Sequence, residues 1–308
     1  MLKELNKIVD KIVYQCMGYQ RGERILIITD DKLVKIAKIF YERIKNLGIE
    51  ISLMCIPPRS VHGEEPPPEV TFALKATNVA LLITSRSLSH TYARQSASKK
   101  YGVRIASMPG INLDILKRSL NLDYKELSNK TNRLAVVINR GKNIRVKTKK
   151  GTDVNFSIKG RKTLEDNGLY IQKGAFGNLP AGEVCIAPLE GTTQGILLID
   201  ASFAMLGRLR KPIELEAKNG IVVKINDTRL KRLLSRMGKS ALNIAEFGIG
   251  LNPKAIISGN ILEDEKATGT AHIALGDNLS FGGRTKAKCH LDGVFLNPEV
   301  WVDEEKII

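Results

Sequence analysis

The sequence predicts an α/β N-terminal domain with an open parallel sheet, followed by a strand-rich α+β domain that binds metal. Three observations carry this reading. Continuous apolar runs alternate with helix-period segments up to about residue 122, as in parallel sheets covered by helices on both faces. Beyond that point, short alternating strands flank Gly-containing turns. Finally, Glu246, His272, His290 and Asp292 fall within one Gly-rich window, which holds two of the chain's four histidines.

Along the chain, Leu2, Leu5, Val9, Ile12, Val13 and Cys16 share one face of a first helix that Gly18 ends. Arg24–Asp30 is a continuous apolar run, read as a buried strand. Helix Lys32–Leu47, strand Glu50–Ile56 and a Pro-rich loop follow. Helix Glu69–Thr77, strand Val79–Thr84, helix His90–Tyr101 and strand Val103–Ser107 continue the alternation, and helix Ile111–Leu120 comes next. A boundary near Asn121–Asp123 separates a Rossmann-like domain, residues 1–122, from an α+β domain, residues 123–308. A nucleotide cofactor is not expected. The turn after the first strand is Thr29-Asp30-Asp31, which lacks the glycines a pyrophosphate needs and places two carboxylates there instead.

In the second half, Tyr124–Arg133 is helical, and Ile144–Thr148 and Val154–Ile158 pair around Gly151. Ile213–Ala217 and Ile221–Ile225 flank Lys218-Asn219-Gly220, a strong hairpin signal. Leu230, Leu233, Leu234 and Met237 mark an amphipathic helix capped by Asn226 or Asp227 and stopped by Gly238. A strand over Lys286–Leu296 would put His290 and Asp292, two residues apart, on one face and within reach of one ion. Glu183, in Asn178-Leu-Pro-Ala-Gly-Glu-Val184, offers a further carboxylate. Imidazole and carboxylate are the groups that hold Zn, Fe, Mn and Co. Glu246 lies in an apolar run, where a carboxylate is costly unless paired or metal-bound. Glu263, Asp264 and Glu265 read as a solvated acidic turn, with Asp264 or Glu265 as a possible partner of a ligating histidine. On a strand, Cys289 points away from the face of its neighbour His290.

The segments NLPAGEVCIAP (178–188), AEFGIGLNP (245–253), DEKATGTAHIALG (264–276) and HLDGV (290–294) resemble the aminopeptidase T type of metallo-aminopeptidase. That resemblance implies a cytoplasmic, dimeric hydrolase, a protease that releases N-terminal residues from short peptides. It implies two divalent ions, Zn, Co or Mg, held by Glu183, Glu246, His272, His290 and Asp292, with Glu183 and Glu246 as catalytic carboxylates. Two such ions share a bridging water that attacks the scissile carbonyl. Leu279 stands where those enzymes carry a Tyr near the metals. The ring-opening dihydroxypyridine dioxygenases resemble a branch of the same fold family. On that alternative, His272, His290 and Asp292 form a two-His, one-carboxylate triad for a single Fe(II).

The net charge of +16 and pI near 9.7 suit either a nucleic-acid surface or a Lys-rich proteome. The densest basic stretch, Lys142–Lys162, contains only Phe156 as a stacking aromatic, which argues for a solvated hairpin and against nucleic acid. No run of eighteen apolar residues suggests a membrane span. The scattered cysteines, Cys16, Cys55, Cys185 and Cys289, argue against a disulfide framework and for a reducing compartment.

Overall fold

The alternation of apolar runs and helical segments in the first half closes as a parallel sheet. The computed structural model describes residues 2–308, with the side chain of Leu2 outside the described residues. Ile51–Ile56, Ile25–Asp30, Val79–Ile83, Arg104–Ser107 and Phe176–Asn178 lie in that order, each parallel to its neighbours. Ile25–Asp30 and Val79–Ile83 are buried along their whole length, as strands covered on both faces must be. Asp30 ends its strand by accepting the amides of Lys32 and Leu33 through Oδ1 and that of Ser85 through Oδ2. Its carboxylate thus holds the turn that leads into the helix Val34–Asn46.

The chain divides into two compact units, Met1–Ser128 with Gly168–Ala181, and Asn129–Asn167 with Gly182–Ile308. The second unit contains two seven-stranded antiparallel sheets. One includes the two predicted hairpins, Asn143–Lys147 with Asp153–Ser157 and Ile213–Lys218 with Ile221–Ile225. In the latter turn Asn219 and Gly220 both adopt positive φ, which the Asn-Gly pair tolerates. The other sheet runs Gly207–Arg208, Ser202–Phe203, His290–Leu296, Thr270–Gly276, Ile244–Gly250, Glu183–Ile186, Leu164–Asp166. The two sheets share one apolar core, where Phe156 of the first packs on Phe247 of the second at 5.4 Å between ring centres. No helix among the described residues is long and apolar enough to cross a membrane.

Because Phe247 is buried between both sheets, Phe247→Ala leaves a cavity and is expected to cost about 3–5 kcal/mol. Denaturant unfolding of the variant beside the wild type measures this. A loss below about 1 kcal/mol would contradict the packing described.

Candidate metal centre

The second sheet of that unit is built so that one face is apolar and the other carries charge. Val184, Phe247, Ile273 and Leu291 point into the shared core. Strand alternation sends their neighbours Glu183, Glu246, His272, His290 and Asp292 to the opposite face. A bulge at Ala245 makes this possible for Glu246. Register shifts between Ile244 and Glu246, so Ile244 and Phe247 both face the core while Glu246 turns the other way. Each of these residues has at least one small strand partner: Gly250 lies beside Glu183, Gly248 beside His272, Ala274 between Glu246 and Asp292, and Gly276 beside His290. Bulky neighbours would fill the space in which these long polar side chains meet.

They do meet. His290 Nε2 lies 2.8 Å from Glu246 Oε2 and 3.5 Å from Asp292 Oδ1. His272 Nε2 lies 3.4 Å from Glu246 Oε1 and 3.6 Å from Glu183 Oε2. The ligand atoms of Glu246, His290 and Asp292 fall within 4.8 Å of one another, and so do those of Glu183, Glu265 and His272. Lys266, wholly buried, places Nζ 2.5 Å from Glu183 Oε1 and 2.7 Å from Glu265 Oε1. Glu183 Oε2 and His272 Nδ1 are buried with no hydrogen-bond partner.

Burial and pairing set the protonation of these groups against each other. Burial pushes the Glu183 carboxyl up to about 7, against the pull of Lys266. Burial also raises Glu246, but hydrogen bonds from His272 and His290 outweigh it and hold that carboxyl well below the usual range. Burial lowers His272, yet Glu246 and Glu183 carry it up to about 9. His290 likewise rises well above its ordinary value because Asp292 and Glu246 outweigh burial. The groups stabilise one another as imidazolium–carboxylate pairs.

The segment from Asp277 to Cys289 fixes the orientation of His290. The ring donates from Nδ1 to the Asp277 carbonyl at 2.8 Å, which turns Nε2 toward Glu246 and Asp292. Phe281 stacks on the imidazole, 4.9 Å between ring centres and 9° from parallel. Glu190 secures this loop, accepting from the Asn278 side chain and the Arg284 amide while pairing with Arg161. Arg161 also donates to the Gly282 carbonyl.

All five residues singled out in the sequence therefore converge, with His290 and Asp292 on one strand face as their spacing predicts. Leu279 is half exposed, in the short turn Leu279–Phe281 of the loop above His290. The acidic run is not a solvated turn: Glu263, Asp264 and Glu265 are buried. Asp264 accepts the amides of Ser258 and Gly259 and so holds a loop, whereas Glu265 joins the charged cluster. Lys266 was not anticipated, because a lysine after three acids reads as surface. Cys289 packs on the core side, as its position on the strand predicts. Cys185 stands across from Gly248, its thiol raised by burial and by Glu246.

The family described as NicX, 2,5-dihydroxypyridine 5,6-dioxygenase, matches residues 5–308. A curated 2,5-dihydroxypyridine 5,6-dioxygenase of Pseudomonas putida KT2440 is 22% identical over 189 residues. That alignment covers 56% of this chain and 54% of the relative, so the chain matches about half the relative's length. The solved structure of 2,5-dihydroxypyridine dioxygenase from P. putida KT2440 superposes with a TM-score of 0.85 at 17% identity, covering 100% of this chain and 96% of that one. Wild-type AmpT from Thermus thermophilus superposes with a TM-score of 0.72 at 13% identity, covering 97% and 94%. Both structures are likenesses of fold, and the second accounts for the aminopeptidase T resemblance. The expected activity is corrected: the family match overturns the hydrolase, aminopeptidase and protease reading, and the choice of Zn, Co or Mg loses its support with it. The ligand motifs belong to the shared fold, so they point to metal binding without fixing the reaction. The family implies a metal, and the chain belongs to the 2,5-dihydroxypyridine 5,6-dioxygenase family.

Proposed function

We propose that this chain is a ring-cleaving dioxygenase acting on a dihydroxylated pyridine, with one Fe(II) held by His272, His290 and Asp292. The observation that carries the reading is the convergence of two imidazole Nε2 atoms and Asp292 around Glu246, in a chain that the family matches from residue 5 to 308. Glu246, which touches both imidazoles, links His272 to the group formed by Glu246, His290 and Asp292. Two nitrogens and a carboxylate suit Fe(II) with open positions for further ligands. His290 is oriented with Nε2 inward, because Nδ1 is bound to a backbone carbonyl. Gly248 supplies the cradle for the second imidazole, since a Cβ there would meet His272 Cε1 at 2.1 Å. Bound Fe(II) would supply the redox site at which oxygen and an electron-rich ring meet.

The other residues act around that centre. Glu246 stands between both imidazoles and compensates their charge, so neither ring can swing away without breaking a pair. In this reading Glu183 takes up a ring hydroxyl proton at Oε2, a role supported by its pKa of about 7 and by the absence of a hydrogen bond at that oxygen. Phe281, stacked on His290, shields one face of the imidazole from water.

The decisive experiment supplies Fe(II) to chelator-stripped protein and follows oxygen uptake with 2,5-dihydroxypyridine. Uptake matched to loss of the ring chromophore is expected, and iron-loaded protein inert toward every dihydroxylated pyridine would rule the reading out. His290→Ala and Asp292→Ala are each expected to lose bound iron and more than about a hundredfold in turnover, since even indirect partners of metal ligands typically cost about 10–100-fold. Full iron occupancy in either variant would refute the ligand assignment.

A second prediction concerns the cradle. Gly248→Ala must push the His272 ring aside, and displacement of about 1 Å commonly costs about 10²-fold. Iron occupancy and turnover should both fall, with the far-ultraviolet circular dichroism unchanged. Normal iron binding in this variant would show that the ring has room that the geometry denies it.

A further inference from the structure

We propose that the first unit binds single-stranded nucleic acid on the outer surface of the helices Pro68–Lys75 and Tyr92–Tyr101. Each helix turns its apolar side to the core through Val70 and Leu74 or Ala93 and Ala97. Neither exposes a Leu, Ile, Val or Met. Aromatic rings stand on the outer side instead. Phe72 is 70% exposed, more than any other large apolar side chain among the described residues, and Tyr92 and Tyr101 are 62% and 51% exposed. One exposed ring is ordinary on a protein surface, whereas a group of three points to a place of contact.

Lysines join these rings into one surface. Lys75 Nζ lies 5.6 Å from the ring centre of Phe72 and 5.4 Å from that of Tyr101, so a single cation spans the two helices. Lys100 Nζ lies 5.9 Å from the ring centre of Tyr92. Beyond Tyr101, the side chain of Lys173 lies over Gly102, where a Cβ would meet its Cε at 2.4 Å. The helix Tyr92–Tyr101 and the segment 168–181 contain no acid, and Glu69 is the one acid of the other helix. Rings interleaved with lysines suit a single strand of either sugar. Its phosphates take the cations while its unpaired bases stack on the rings, whatever their sequence. The basic hairpin 142–162 has the charge without the rings, since its one aromatic, Phe156, is buried. A second copy of this chain would set the same lysines against each other, at a cost. An anionic membrane offers the charge, but these helices hold out no aliphatic side chain to enter it.

The test follows a fluorescein-labelled oligothymidylate by fluorescence anisotropy as whole protein is added at low salt, beside a labelled DNA duplex whose base faces are hidden. Wild type is expected to bind the single strand. Phe72→Leu and Tyr101→Leu keep apolar bulk but remove the ring. Each is expected to weaken single-strand binding at least about fivefold, the factor for roughly 1 kcal/mol of lost stacking, and to leave duplex binding unchanged. Lys75→Gln and Lys100→Gln are each expected to reduce the slope of log affinity against log salt by about 0.7. A wild type that binds no oligothymidylate would overturn the proposal, as would ring variants that bind it as tightly as wild type. Should the ring variants instead lose binding to phosphatidylserine vesicles or lose self-association, with oligothymidylate binding intact, the surface serves a membrane or a second copy and the proposal fails. Should a ring variant not fold, the lysine variants decide, a reduced slope in support and an unchanged one against.

Discussion

Charge buried inside a β-sheet is the constraint on which the second unit depends. Glu183, Glu246, Glu265 and His272 are each less than a tenth exposed, and Lys266 is not exposed at all. An isolated carboxylate in such a place is costly, so each must be paired, hydrogen-bonded or metal-bound. Both imidazoles meet that demand for Glu246, and one lysine meets it for Glu183 and Glu265. The rest of the sheet follows from the need to bring these groups close. Small residues stand beside every charged position, and one bulge turns Glu246 out of the core. The opposite face anchors the strands through Phe247, Ile273 and Leu291, all buried in the apolar core.

Much of this is written in local pattern. The β–α alternation before residue 122, the Asn219-Gly220 hairpin and the helix begun by Asp227 all appear where residue spacing places them. His290 and Asp292 share a face because strand period is two, which needs no knowledge of the partner strands. The convergence of Glu183 with His272 is different, since it depends on strands 89 positions apart in the chain, and only the family resemblance joined them. The strand Phe176–Asn178 is three residues long and too short for any period to show.

Lys266 was illegible for a physical reason. A buried lysine requires acceptors around it, and Glu183 comes from 83 residues away. Read locally, Glu263-Asp264-Glu265-Lys266 has the composition of solvated surface. The hydrolase expectation came from the ligand segments, which belong to a fold that AmpT and the dihydroxypyridine dioxygenase share. A set of liganding side chains announces that metal can bind, whereas the reaction depends on what surrounds them.

The strand Phe176–Asn178 has a consequence for how the protein is made. The chain leaves its first unit after Ser128, returns for Gly168–Ala181 and leaves again. On a ribosome, where chains usually fold from the N-terminus as they emerge, the parallel sheet cannot receive its fifth strand until residue 178 is available. By then the hairpin Asn143–Lys147 with Asp153–Ser157 is already outside, belonging to the other unit. The two units are thus synthesised interleaved, and neither is severed from the other by a single cut in the chain. A chain cut anywhere between Ser128 and Gly168 therefore leaves the parallel sheet without its fifth strand, so the first unit cannot be excised as one continuous module.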